Sequence, residues 1–142
     1  MKKVAVSGYF DPLHVGHLEL FENAKKLGDY LIVIVNTDEQ AILKKGYVFL
    51  TCEDRMRIVS ALKIVDEVVK SIDTDRTIRK TLASIKPDIF ANGGDRNNQE
   101  IPETPVCRKY GIQIIDGLGD KIRSSSELVA KSRKAKEKNQ VE

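Results

Sequence analysis

The stretch GYFDPLHVGH, residues Gly8–His17, joins a β-branched run to a helical pattern and holds both histidines of the chain. Val4–Val6 reads as a strand that stops at Ser7-Gly8. Leu20, Phe21, Ala24 and Leu27 then form the apolar stripe of a helix, which Gly28 ends. The helix entrance falls near Val15–Gly16, with His14 at its mouth and His17 in its first turn. Backbone amides at such an entrance lack helical partners and attract anions, and Gly16 lets a bulky ligand approach the backbone. Histidine titrates nearest neutral pH, so the pair reads as an exposed helix start, a metal site or a phosphate site. Zinc is the weakest of these. It takes three or four protein ligands, and neither a third histidine nor a usable cysteine is present.

Outward from this stretch the pattern repeats. YLIVIVN (Tyr30–Asn36) is apolar throughout, as expected for a strand covered on both faces. After a loop from Asn36 to Thr51, Arg55–Leu62 reads as a helix with Met56, Val59 and Leu62 inward. Val65–Ser71 is a weaker strand. Ile78, Leu82 and Ile85 mark a helix closed by Pro87. Asp88–Asn92 and Ile112–Asp116 are short strands, and a last helix starts near Ser124. This alternation predicts a Rossmann-like, doubly wound α/β fold, a five-stranded parallel sheet with helices on both faces. Such sheets bind ligands beyond the carboxyl ends of their strands, where strand order reverses. The loops to search are Gly8–Val15, Asn36–Thr51, Ile72–Asp75, Asn92–Gln99 and Asp116–Ser124.

Composition sets the bounds. At 142 residues, 41% apolar and 32% charged, the chain fits one ordinary globular domain. Its net charge of +3 owes much to Lys131, Arg133, Lys134, Lys136 and Lys138, set against Glu137 alone. The body without that tail is near neutral, which argues against a nucleic-acid surface. The expected division is a domain over residues 1–131 and a charged, frayed tail over 132–142. Cys52 and Cys107 are too few and too far apart for a disulfide framework, which points to a reduced, cytoplasmic protein. The apolar run in MKKVAVSG is too short for a signal peptide, and no stretch approaches the ~18 apolar residues of a membrane helix.

The full string G-x-F-D-x-x-H-x-G-H, after a strand and before a helix, resembles the signature of the HIGH-motif nucleotidyltransferases, the cytidylyltransferase-like family. The resemblance runs from Met1 to about Lys131. It is strongest to glycerol-3-phosphate cytidylyltransferases and to the adenylyltransferase domain of bacterial ADP-heptose synthesis, over GYFDPLHVGHLELFENAKKLGDYLIVIVNTDE. It implies that an acceptor phosphate oxygen attacks the α-phosphorus of a nucleoside triphosphate and that pyrophosphate leaves, with no covalent enzyme intermediate. Catalysis then rests on positioning and charge stabilisation. The implied catalytic residues are His14 and His17, two donors converging from a helix mouth, and Lys44 and Lys45, which reach toward phosphate. Gly8, Tyr9, Phe10, Asp11 and Gly16 would line the nucleotide. Asn92, Gly93 and Asp95 of ANGGDRNN and the run Ser124, Ser125, Ser126 would join them. Arg55, Asp38 and Arg123 would bind the acceptor or support the site.

Each assignment has a plainer reading. Lys44 and Lys45 also read as solvated loop lysines, and Arg55 as a partner of Glu53 or Asp54 in a first helical turn. The double glycine reads as a polar turn. Ser124 with Glu127 fits a capping box whether or not phosphate binds there. Glycerol-type enzymes carry an arginine a few residues before the serine run, where this chain has about Gly119, with Lys121 and Arg123 nearby. Heptose-type enzymes have a similar Gly-Gly-Asp, which leans toward adenine.

The function implied is transfer of a nucleoside monophosphate from ATP or CTP onto a phosphosugar or polyol phosphate. FMN, in FAD synthesis, is the alternative acceptor. Triphosphate brings about four negative charges to a few cations, so Mg²⁺ is expected to arrive with the nucleotide rather than in a site built by protein alone. A homodimer is expected, with neither a nucleic-acid nor a membrane partner. The contrasting class is a non-catalytic nucleotide-binding module of the same fold, against which the intact catalytic set argues. A tRNA synthetase fragment would need a K-x-S-K loop, and P-loop and dehydrogenase glycine patterns are absent.

Overall fold

The computed structural model describes residues 1–93 and 101–118. Its strands are β1 (Lys3–Gly8), β2 (Tyr30–Val35), β3 (Glu67–Lys70), β4 (Ile89–Ala91) and β5 (Gln113–Ile115). They form one sheet in the order β3-β2-β1-β4-β5, and every neighbouring pair is parallel. The helices are α1 (Val15–Lys25), α2 (Asp38–Lys45), α3 (Cys52–Ser60), α4 (Arg79–Ile85) and α5 (Thr104–Tyr110). This is the Rossmann-like α/β fold expected from the alternation. Strand order reverses between β1 and β4, so the loops leaving those strands flank the crevice.

Side chains alternate across the sheet and feed two cores. Val4, Val6, Leu31, Val33, Val35, Ile89 and Ala91 pack with Phe21 and Ala24 of α1 and Val59 of α3. Ala5, Ile32, Ile34 and Phe90 face the other way, toward Ile78, Leu82 of α4 and Cys107 of α5. Both faces are covered, which explains the unbroken apolar run of β2.

The structure departs from the sequence reading in three places. The expected loop from Asn36 to Thr51 contains α2. Thr37 caps it in a reciprocal box with Gln40, and Gly46 closes it in the left-handed region. Only Gln40 and Ala41 of this helix are buried, so it carries no apolar stripe to betray it. Gly28 does not end α1, whose C-cap is Lys26. A Cβ at Gly28 would lie 2.7 Å from the Lys2 carbonyl oxygen, so glycine there admits the close approach of the turn before β2 to the chain entering β1. The short α5 also occupies a segment in which no stripe marked a helix. The helix expected from Ser124 lies outside the described residues.

Candidate active site

His14 is the N-cap of α1, and its Nδ1 accepts a hydrogen bond from the Gly16 amide at 3.0 Å. His17 sits three residues on, and its Nδ1 accepts from the His14 amide at 3.1 Å. Two histidines thus make the reciprocal capping box that a serine and a glutamate usually make. Both Nδ1 atoms are acceptors, so each neutral ring carries its proton on Nε2. The rings stack with centroids 3.8 Å apart. Burial, and secondarily the neighbouring His14, holds the His17 pKa down to about 3. His17 is therefore a neutral N–H donor at pH 7.

The loop before the helix is held from beneath. Phe10 adopts a positive φ of 52°, uncommon for a residue with a side chain. Its buried ring meets His17 edge-on at 4.9 Å and Phe21 at 5.3 Å. Gly8 makes room for it, since a Cβ there would lie 2.9 Å from the ring. Phe10 was expected to line the nucleotide. Its ring belongs to the core and supports His17 instead.

Asp11 and Arg55 are likewise held by contacts within the fold. The Asp11 carboxylate is buried and accepts from the amides of Phe49 at 2.8 Å and Leu50 at 2.6 Å, with Lys45 Nζ at 3.3 Å. It clamps the loop after β1 to the segment after α2. Arg55 is 1% exposed. It donates to the carbonyls of Leu50, Tyr9 and Asn36 at 2.9, 2.7 and 2.8 Å and to Asp38 Oδ1 at 2.8 Å. Its ion-pair partner is Asp38 rather than Glu53 or Asp54. Asp38 Oδ1 also accepts from the Cys52 amide at 2.8 Å. Arg55 and Asp38 therefore join the loops after β1, β2 and α2.

Lys44 and Lys45 end α2 rather than lying in a loop. Lys45 turns inward to Asp11, while Lys44 Nζ lies over the Tyr9 ring, 4.7 Å from its centroid. Asn92 stands at the carboxyl end of β4, and its side-chain amide donates to Asp116 at 3.2 Å. Gly93 follows it against Leu20 of α1, and Asn23 of α1 donates to the Leu118 carbonyl. The loops after β4 and β5 are thereby drawn onto α1, at Leu20 and Asn23. Asp95, Arg123, Ser124, Ser125 and Ser126 lie outside the described residues.

Sequence reading named the loop Ile72–Asp75 after β3 but singled out no residue in it. The buried Asp73 carboxylate accepts from the Lys80 amide and from the Thr81 amide and hydroxyl, and so holds the start of α4. The fully buried Gln40 donates to the carbonyls of Asp75 and Thr77 at 2.7 and 2.9 Å. The only available signal was a cation, Arg76, at the carboxyl end of a strand.

Residues 5–139 match the family described as cytidylyltransferase-like. The chain belongs to the cytidylyltransferase-like family. It is 43% identical to a FAD synthase of Ferroglobus placidus, covering 80% of this chain and 72% of that protein. It is 38% identical to the glycerol-3-phosphate cytidylyltransferase of Bacillus subtilis, over 67% of this chain and 73% of the relative. A crystal structure of a lipopolysaccharide core biosynthesis protein from Thermoplasma volcanium superposes with a TM-score of 0.68 at 29% identity. It covers 82% of this chain and 95% of that one.

For this member of a nucleotidyltransferase family, the described residues do not build a metal site of their own. Among them no group of three His, Cys, Asp or Glu side chains could hold an ion. The Asp11 carboxylate is already bound by two amides and Lys45. Among the described residues no helix is long and apolar enough to cross a membrane.

Proposed function

We propose that the chain adenylylates FMN, using ATP as magnesium-bound substrate and releasing pyrophosphate. The observation that carries the transfer reaction is the histidine pair at the mouth of α1, beside the strand-order reversal. An acceptor phosphate oxygen would form a bond to the α-phosphorus as the bond to the β-bridging oxygen breaks. Negative charge grows on the phosphoryl oxygens and on the leaving pyrophosphate. The Nε2–H groups of His14 and His17 would donate to those oxygens without giving up protons, since His17 remains neutral far below pH 7. Lys45, and the serines Ser124, Ser125 and Ser126, would neutralise and hold the outer phosphates. Asn92, Gly93 and Asp95 would border the base.

FMN as the acceptor is supported by the likeness to the FAD synthase of Ferroglobus placidus, which aligns over more of this chain than the Bacillus subtilis relative does. The second reading, CTP with glycerol 3-phosphate, rests on that second relative. A screen of ATP and CTP against FMN, glycerol 3-phosphate and a heptose 1-phosphate, reading pyrophosphate, separates them. ATP with FMN should release pyrophosphate and yield FAD. Turnover with the glycerol or heptose acceptor alone would replace FMN, and no turnover with any pair would favour a binding module. Activity should vanish in EDTA and return with excess Mg²⁺, while calorimetry of the free protein should show no tight Mg²⁺ binding.

A further inference from the structure

We infer that Tyr9 is a positioning residue: its ring gathers the ammoniums of Lys44 and Lys45 beside the loop after β1, and it acts on the triphosphate through them rather than as a wall of the nucleotide. The inference rests on the transfer reaction above and adds a residue to it. The string G-x-F-D-x-x-H-x-G-H fixes no residue at position 9, so the ring is a choice of this chain. Lys44 Nζ lies 4.7 Å from the ring centroid and Lys45 Nζ 5.7 Å. Both are within cation–π range. Lys45 Nζ also lies 5.2 Å from the centroid of the Tyr47 ring, so its ammonium meets two aromatic rings.

Lys44 and Lys45 are the last two residues of α2. Successive helical side chains point about 100° apart, and like charges repel, so two flexible ammoniums should diverge into solvent. Tyr9 counters this because it is held at both ends. Its carbonyl accepts from Arg55 Nη1 at 2.7 Å, and its hydroxyl donates to the Gln40 carbonyl at 3.5 Å. Gln40 is completely buried, and Lys44 stands one turn beyond it on the same face of α2. The Tyr9 side chain therefore lies along one turn of that helix, with its hydroxyl at Gln40 and its ring under the Lys44 ammonium. A carboxylate in this place would cancel the charge it held, whereas a ring attracts an ammonium without neutralising it. Asp11, 3.3 Å from Lys45 Nζ, balances one of the two cations. The pair keeps a net positive charge and is tied to the loop that ends at His14. That suits the outer phosphates of a nucleoside triphosphate, whose charge neutral histidine donors do not balance.

Titration calorimetry on the full chain tests this, with ATP, CTP, AMP and CMP as probes in excess Mg²⁺. At least one triphosphate should bind the wild type. Tyr9→Leu keeps apolar bulk and removes the ring. It should weaken that triphosphate about 5-fold or more and the matching monophosphate less than about twofold. Tyr9→Met, a second side chain without a ring, should repeat the loss. Tyr9→Phe should stay within about twofold of the wild type. In a Lys44→Met chain, Tyr9→Leu should cost clearly less than it does in the wild type. Tyr9 is half-buried, so circular dichroism accompanies each variant. Unaltered triphosphate binding by a folded Tyr9→Leu or Tyr9→Met chain would overturn the inference. An equal loss for the monophosphate would make the ring a wall of the nucleotide and overturn it too. So would a loss in Tyr9→Phe as large as in Tyr9→Leu, an undiminished loss in the Lys44→Met chain, or failure of both triphosphates to bind the wild type. The transfer reaction fails separately, as absence of pyrophosphate release with every substrate pair from a wild type that still binds triphosphate.

Discussion

The histidine pair, half-buried, and the Arg55 hub, fully buried, are both polar and both tied to the loop after β1. They differ in how their hydrogen-bonding capacity is used. Arg55 places donors on three backbone carbonyls and Asp38. His14 and His17 use one ring nitrogen each, as an acceptor, to cap their own helix. The proton then sits on the other nitrogen. A buried polar side chain whose valence is filled by the fold is scaffold, whereas one whose fold contacts settle its tautomer is prepared for a ligand.

The comparison breaks most visibly at Arg55. Arg55→Ala should destabilise the protein by about 3 kcal/mol or more, because it strips a buried cation from three carbonyls. Half-exposure of Asp38 keeps the loss toward the low end. Urea denaturation should show it, and loss of activity should track loss of fold. An Arg55→Ala protein that is stable but inactive would move Arg55 from scaffold to chemistry.

The histidines should behave in the opposite sense. His14→Ala and His17→Ala should each lower turnover by ~10²–10³-fold, about 2.7–4 kcal/mol of transition-state stabilisation. The accompanying loss of the cap should cost only about 1 kcal/mol of stability. Pyrophosphate release measured beside a denaturation curve reads both quantities. A variant that unfolds in proportion to its lost activity would make that histidine a cap and nothing more.

Gly8→Ala tests whether the packing under His17 matters. A methyl 2.9 Å from the Phe10 ring must displace it, at a cost of about 1–3 kcal/mol. The displaced ring should also loosen His17, so turnover should fall further than stability alone explains. Equal losses would detach Phe10 from the chemistry.

The last test is pH. The His17 pKa is 6.5 in its ordinary state and about 3 in the fold. Between those values the unfolded chain binds a proton that the folded chain refuses. Its contribution to stability is therefore complete above about pH 6.5 and declines as pH falls toward 3. Denaturation at a series of pH values should show this slope, and His17→Gln should flatten it. Turnover should show no limb near pH 6.5 arising from His17. A limb that His17→Gln removes would mean the ring titrates in the fold and is not held neutral.

Local signals were the legible ones. The β-branched runs, the stripe of α1 and the position of His14 and His17 at a helix mouth depend on neighbours within four residues, and periodicity exposes them. The alternation of elements then restricted the sheet to parallel pairing and put the site beyond the strand ends. The capping box of Thr37 and Gln40 was equally local, yet α2 went unseen because its partners are few and its outer face carries Ile42 and Leu43 exposed.

By itself, then, the sequence determined the fold class, the helix mouth and the family chemistry that the HVGH string implies. Tertiary structure alone decided which polar residues serve the scaffold. Arg55 reaches Tyr9 across 46 positions of chain, and Asp11 reaches Leu50 across 39. Gln40 likewise fixes the turn that carries Arg76 from 35 and 37 positions away. A buried donor or acceptor must be satisfied, but its partner is whichever group the packed sheet brings within about 3 Å. No periodicity within the chain encodes that choice.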